Sequence, residues 1–104
     1  MTPLLSIIIP TYNEANRIEK TIVSLNNFLR GQQFEWELII SDDGSTDSTR
    51  EIVASVTANM PHARLIVCSH AGKGKALKNG IAKAVGDYIF LFDADMSMPV
   101  NQLI

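Results

Sequence analysis

The chain has 104 residues, 46% hydrophobic and 19% charged, a balance that excludes disorder and fits one domain with a real core. A net charge of −2 excludes the broad basic surface of a nucleic-acid binder, so any hold on a phosphate must come from local features. The single cysteine, Cys68, can form no internal disulfide; it reads as a small buried hydrophobe near a strand end and agrees with a reducing compartment.

Residues 4–10 (LLSIIIP) are β-branched, almost wholly apolar and stopped by proline, which predicts a buried parallel strand. Asn13 is expected to cap a helix carrying Ile18, Ile22, Leu25 and Leu29 at helical spacing, with Gly31 as its stop. Residues 36–41 (WELIIS) form the second predicted strand. After the turn at 42–46 (DDGST), Ser48 and Glu51 suggest a capping box before Ile52, Val53, Val56 and Met60 on one helical face, and Pro61 ends that helix. The third strand is predicted over 64–69 (RLIVCS). A glycine-bearing loop at 70–74 leads into a helix with Leu77, Ile81, Ala84 and Val85, closed by Gly86. The fourth strand, 87–92 (DYIFLF), runs straight into Asp93-Ala94-Asp95. The order βαβαβαβ predicts an α/β fold with an open parallel sheet. Right-handed crossovers and a switch point at the first strand predict strand order 3-2-1-4. The first residues carry neither a basic stretch nor a long apolar run. The apolar runs at 4–9 and 88–92 fall far short of the ~20 residues of a spanning helix, so a cytoplasmic location is expected.

The polar, turn-forming clusters all follow the carboxyl ends of strands: residues 11–14, 42–47, 70–75 and 93–95. In an open parallel sheet those ends share one edge, and ligands bind there. The opposite loops are short and chemically plain. Asp93 and Asp95 at a strand end repel each other unless a cation sits between them, and hard carboxylate oxygens favour Mg²⁺ or Mn²⁺. A lone D-x-D is more often a solvated turn, and its position after the fourth strand is what favours the metal. In the 42–47 loop an aspartate can accept N–H groups from a nucleobase edge, while Gly44 permits the turn and Asp47 suits the start of a helix. Ser45, Thr46 and Asp47 are read as turn and cap residues. Tyr12 suits stacking on a base and covering the sheet edge equally well.

The run His70-Ala71-Gly72-Lys73-Gly74-Lys75 lacks the Ser or Thr of a Walker loop. It also lacks the third glycine and the first-strand position of a dinucleotide fingerprint, which argues against a dinucleotide-binding domain. Its glycines, two lysines and helix start still suit a diphosphate. His62 and His70 are read as surface residues.

Four segments together resemble the successive motifs of family 2 glycosyltransferases: 6–14 (SIIIPTYNE), 42–47 (DDGSTD), 72–80 (GKGKALKNG) and 86–95 (GDYIFLFDAD). They stand in that family's order and spacing across essentially the whole chain. Asn13-Glu14, and Asp93-Ala94-Asp95 followed by Met-Ser-Met-Pro99, are most similar to the polyprenyl-phosphate (dolichyl-phosphate) glucosyl- and mannosyltransferases. The resemblance implies a GT-A fold, a UDP- or GDP-sugar donor, a divalent cation and inversion at the anomeric carbon. It places Pro10, Tyr12 and Glu14 along the nucleotide, Asp43 on the base with Asp42 shaping the loop, and Lys73 or Lys75 near the diphosphate. Asp93 would lie near the ribose and metal, and Asp95 on the metal. It also implies that acceptor-binding residues and any catalytic base lie beyond Ile104, so this stretch should bind a donor without transferring its sugar. A polyprenyl phosphate acceptor, already anionic, would need no strong base. The alternative is an inactive nucleotide-sugar-binding module. Self-association through an exposed sheet edge is a further expectation.

Overall fold

Residues 4–92 are described by the computed structural model. The strands β1 (Leu4–Thr11), β2 (Glu35–Asp42), β3 (Ala63–Val67) and β4 (Tyr88–Leu91) alternate with the helices α1 (Ile18–Arg30), α2 (Thr49–Thr57) and α3 (Lys73–Lys83). All pairings are parallel and the order is β3-β2-β1-β4, as the sequence predicts. Ile7, Ile8 and Ile9 are successive and fully buried, which requires cover on both faces of β1. Ile7 and Ile9 of β1, with Leu38 and Ile40 of β2, join Ile18, Ile22, Leu25 and Leu29 of α1 and Val53 of α2 in the main core. Ile8 and Ser41 turn to the other face. There α3 comes so close that a Cβ on Gly80 would lie 2.5 Å from Ile8 Cγ2, and the Ser41 hydroxyl donates to the Ala76 carbonyl at 2.7 Å.

Several local expectations are corrected. Asn13 does not cap α1: the N-cap is Arg17, without a side-chain bond, and the Arg17 and Ile18 N–H groups close a turn on the Glu14 carbonyl. The Ser48–Glu51 box does not form; Asp47 instead accepts the Thr49 N–H at 2.9 Å and the Thr49 hydroxyl. Thus α2 ends at Thr57, ahead of Pro61, and Met60 reaches the core from the turn that follows. On α3 the buried side is Ala76 and Gly80, while Ile81 and Val85 are 40% and 72% exposed. Small residues won that face because only they allow so close a backbone approach.

Gly86 is not a helix cap, since α3 stops at Lys83 with Ala84 extended. Gly86 lies against β1, where a Cβ would collide with Ser6 and stand 2.9 Å from the Leu4 carbonyl oxygen. Its N–H donates to Ser6 Oγ, and Glu37 accepts both the Ser6 hydroxyl and the Val85 N–H. This edge, expected to be plain, is a polar clasp. Cys68 is only half-buried, just past β3.

Candidate functional site

Three connections meet at the carboxyl edge of the sheet, after β1, β2 and β3. The Asp42 carboxylate, fully buried, accepts the Thr11 hydroxyl at 2.8 Å, the Ser45 N–H at 2.8 Å and the Ser45 hydroxyl at 2.6 Å. It therefore holds the turn from within. Asn13 joins the first two loops. Its backbone sits in the left-handed region at φ 53°, which asparagine tolerates better than most residues. Its side-chain oxygen accepts the N–H groups of Thr46 and Asp47 at 2.8 and 3.2 Å, and its own N–H donates to Ser45 Oγ at 2.9 Å. The Glu14 N–H donates to Thr49 Oγ1.

Gly44, at φ +74°, is where the third loop comes in: a Cβ there would lie 2.8 Å from the His70 backbone nitrogen. Asp43 completes the junction and is 3% exposed. One carboxylate oxygen accepts the Ala71 N–H at 2.8 Å, and the other accepts the Gly72 N–H at 3.0 Å and faces His70 Nδ1 at 2.9 Å. The same Nδ1 lies 3.1 Å from the Asp43 carbonyl oxygen. Burial pushes the Asp43 carboxyl up, but the Ala71 and Gly72 N–H groups and the His70 charge and hydrogen bond together hold it below the usual carboxylate value. Above this junction the Tyr12 ring stacks on His70, centroids 4.3 Å apart and planes 23° off parallel.

The sheet thus brings Tyr12, Asp42 and Asp43 together, with Lys73 and Lys75 exposed in the first turn of α3 beside them. Two cations at a helix N-terminus can offset a diphosphate's charge. Pro10 is buried in β1 opposite Ser41, and Glu14 accepts the Arg17 guanidinium at 2.7 Å. Asp93 and Asp95 lie outside the described residues. Phe92, the last described residue, is buried, and its N–H donates to the Ile8 carbonyl. Among the described residues no group of three or more His, Cys, Asp or Glu side chains could hold a metal, and no helix is long and apolar enough to cross a membrane.

Two participants were not legible as such. His70 reads as a surface residue, and its side chain is indeed 57% exposed, yet its ring is fixed by Tyr12 and Asp43. Asn13 reads as a helix cap and instead ties two loops. The available signal was an aromatic ring and a carboxylate in separate loops at one edge, which only pairing across distant positions can reveal.

Residues 6–103 match the sequence profile of the glycosyl transferase family 2. A dolichyl-phosphate beta-glucosyltransferase of Trichomonas vaginalis is 33% identical over 93% of this chain and 32% of its own length. One from Dictyostelium discoideum is 36% identical over 88% of this chain and 30% of its own. The chain therefore spans about a third of the length of these relatives. In structure it is similar to the mannosyltransferase PcManGT from Pyrobaculum calidifontis, solved in complex with GDP-Man and Mn²⁺. The TM-score is 0.76 with 29% identity, over 91% of this chain and 28% of that one. TarS of S. aureus in complex with UDP gives a TM-score of 0.71 with 31% identity, over 91% and 28%. The GT-A expectation is met by this likeness and by the strand order.

Proposed function

The chain belongs to the glycosyl transferase family 2, and on that footing we propose that it forms the donor-binding part of an inverting glycosyltransferase. The donor is a UDP- or GDP-sugar carrying a hexose, and the acceptor is a polyprenyl phosphate. The observation that carries the reading is the convergence of Tyr12, the Asp42–Asp43 turn and the Lys73–Lys75 turn at one sheet edge. The bound nucleotide and ion of PcManGT, the UDP of TarS and the lipid acceptor in the names of the two relatives support it.

In this reading Tyr12 supplies the stacking face, Asp43 serves recognition of the base, and Pro10 and Glu14 flank the nucleotide. Lys73 and Lys75 offset diphosphate charge from the first turn of α3. Asp93 and Asp95 are the residues that would hold Mg²⁺ or Mn²⁺; two carboxylates supplemented by donor phosphates suit such an ion. When bound, it supplies Lewis-acid stabilisation of charge on the departing diphosphate. Calorimetric titration with UDP-glucose and GDP-mannose, with and without Mn²⁺, tests the proposal. Binding that needs the ion in the native chain and loses that dependence in Asp95→Ala is the expected result. Absence of binding by either nucleotide sugar would defeat it.

A further inference from the structure

The polar clasp at the amino edge of the sheet is heavily built for a plain crossover. Glu37 of β2 sits at its centre, with a side chain only 17% exposed. One carboxylate oxygen accepts the Ser6 hydroxyl at 2.5 Å and the Val85 N–H at 2.8 Å, and the other lies 3.9 Å from the Arg64 guanidinium. That guanidinium donates to the Lys83 carbonyl at 2.6 Å, and Ser6 Oγ accepts the Gly86 N–H at 2.8 Å. Asp87 closes the series: its N–H donates to the Leu4 carbonyl and its carboxylate accepts the Leu4 N–H. The passage from α3 into β4 is thereby tied to β1, β2 and β3. A carboxylate so nearly buried is costly unless its oxygens are satisfied, and removing it leaves its donors unpaired. The strand β4 depends on those ties. It ends the sheet, pairs with β1 over four residues where β2 pairs over eight, and keeps Ile89 and Leu91 about half exposed.

We infer that Glu37 is a positioning residue for the cation-dependent part of donor binding, acting through the seating of β4. This rests on the donor-binding reading above and adds a division of labour to it. The loops after β1, β2 and β3 are locked to one another by Asp42, Asn13 and Asp43, so the nucleotide contacts given to them stand without the clasp. The carboxylates given to the ion, Asp93 and Asp95, follow β4 in the chain, with Phe92 alone between that strand and Asp93. A strand held by few pairings passes a shift at its start on to its end. Glu37 itself is too far from the ligand edge to touch a donor: at roughly 3.3 Å per residue, positions 37 and 42 of β2 stand about 16 Å apart.

The test titrates UDP-glucose and GDP-mannose, with and without Mn²⁺, into the native chain, Glu37→Ala and Glu37→Gln, and follows amide hydrogen exchange in each. Alanine removes the acceptor, whereas glutamine keeps an amide oxygen for the Ser6 hydroxyl and the Val85 N–H. Glu37→Ala should bind the donor as the native chain does without Mn²⁺ and lose about tenfold of the gain in affinity that Mn²⁺ brings, the scale of donors left unpaired. Exchange at Asp87 should quicken while Ile39 and Ile40 keep their native rates, and Glu37→Gln should recover most of both properties. A merely stabilising role would lower both affinities in step with the thermal midpoint, and an unchanged ratio between them overturns the inference. Should Glu37→Ala not fold, Ser6→Ala takes its place, because it removes the hydroxyl between Glu37 and Gly86; a full Mn²⁺ gain in that variant overturns the inference equally. Native binding that ignores Mn²⁺ also overturns it and leaves the nucleotide contacts standing. If the native chain binds neither nucleotide sugar under any condition, the donor-binding reading itself has failed.

Discussion

On one face of the sheet α1 and α2 lie over Ile7, Ile9, Leu38 and Ile40, all fully buried; on the other, α3 covers Ile8 and Ser41 but leaves Ile89 and Leu91 of β4 about half exposed. The pairing Ser6↔Ile89 and Ile8↔Leu91 places those two residues on the α3 face. Ile81 of α3 and Val85 just after it are exposed as well, so apolar surface gathers along one flank. The difference has a local cause. Ala76 and Gly80 let α3 come close to β1 and β2, and a helix that close cannot also reach across β4. One face is a finished core, and the other ends in the kind of patch that marks an interaction surface.

The largest expected effect probes that contrast directly. Ile40→Ala should lower unfolding free energy by about 3–4 kcal/mol, the range for truncating a filled aliphatic site, whereas Leu91→Ala should change it by less than about 0.5 kcal/mol. Urea unfolding measures both, and equal losses would mean that the β4 flank is covered as well as the core. Next comes Gly86→Ala, expected to cost about 2 kcal/mol because its Cβ would meet the β1 backbone, which cannot yield as a side-chain end does. Hydrogen exchange should then quicken first at Asp87, whose N–H donates to the Leu4 carbonyl of β1 beside this junction. Uniform quickening across β2 and β3 would argue that the α3–β4 flank is no separate region.

Smaller changes sharpen the comparison at the site. Asn13→Ala removes the acceptor for the Thr46 and Asp47 N–H groups and puts alanine in a left-handed backbone, for an expected loss of about 1–2 kcal/mol. Asn13→Gly suits the backbone and isolates the side chain's share, so melting of that variant at the native temperature would show that the hydrogen bonds contribute little. The mildest test is pH. Asp43 has a folded pKa below its ordinary value of 3.8, so its contribution is fully present above that value and lost as pH falls through the lower folded one. Amide signals of Ala71 and Gly72 should therefore shift only in acid, below about pH 4, and Asp43→Asn should abolish the transition. A shift near neutrality in the native chain would assign the titration to another group.

The fold and much of the site were legible because they rest on short-range regularities. Three consecutive isoleucines in a short run ended by proline specify a strand covered on both faces. Turn chemistry after each strand specifies a common ligand edge, and short right-handed crossovers leave few strand orders. Asp42, Asp43, Tyr12, Lys73 and Lys75 were found at that edge by this logic. What failed were inferences that treated a residue's chain neighbours as its partners. Asn13 was expected to cap the next helix and bonds a loop more than thirty residues away. Gly86 was expected to end a helix and instead admits β1. His70 reads as surface until Asp43 and Tyr12 arrive from two other loops. Hydrophobic periodicity and turn propensity act along the chain, so sequence alone determined the elements and the edge they share. Close approach and hydrogen-bond partnership act through space, so only the tertiary structure decided that Gly80 and Gly86 are contact points and that His70 stands in front of Asp43.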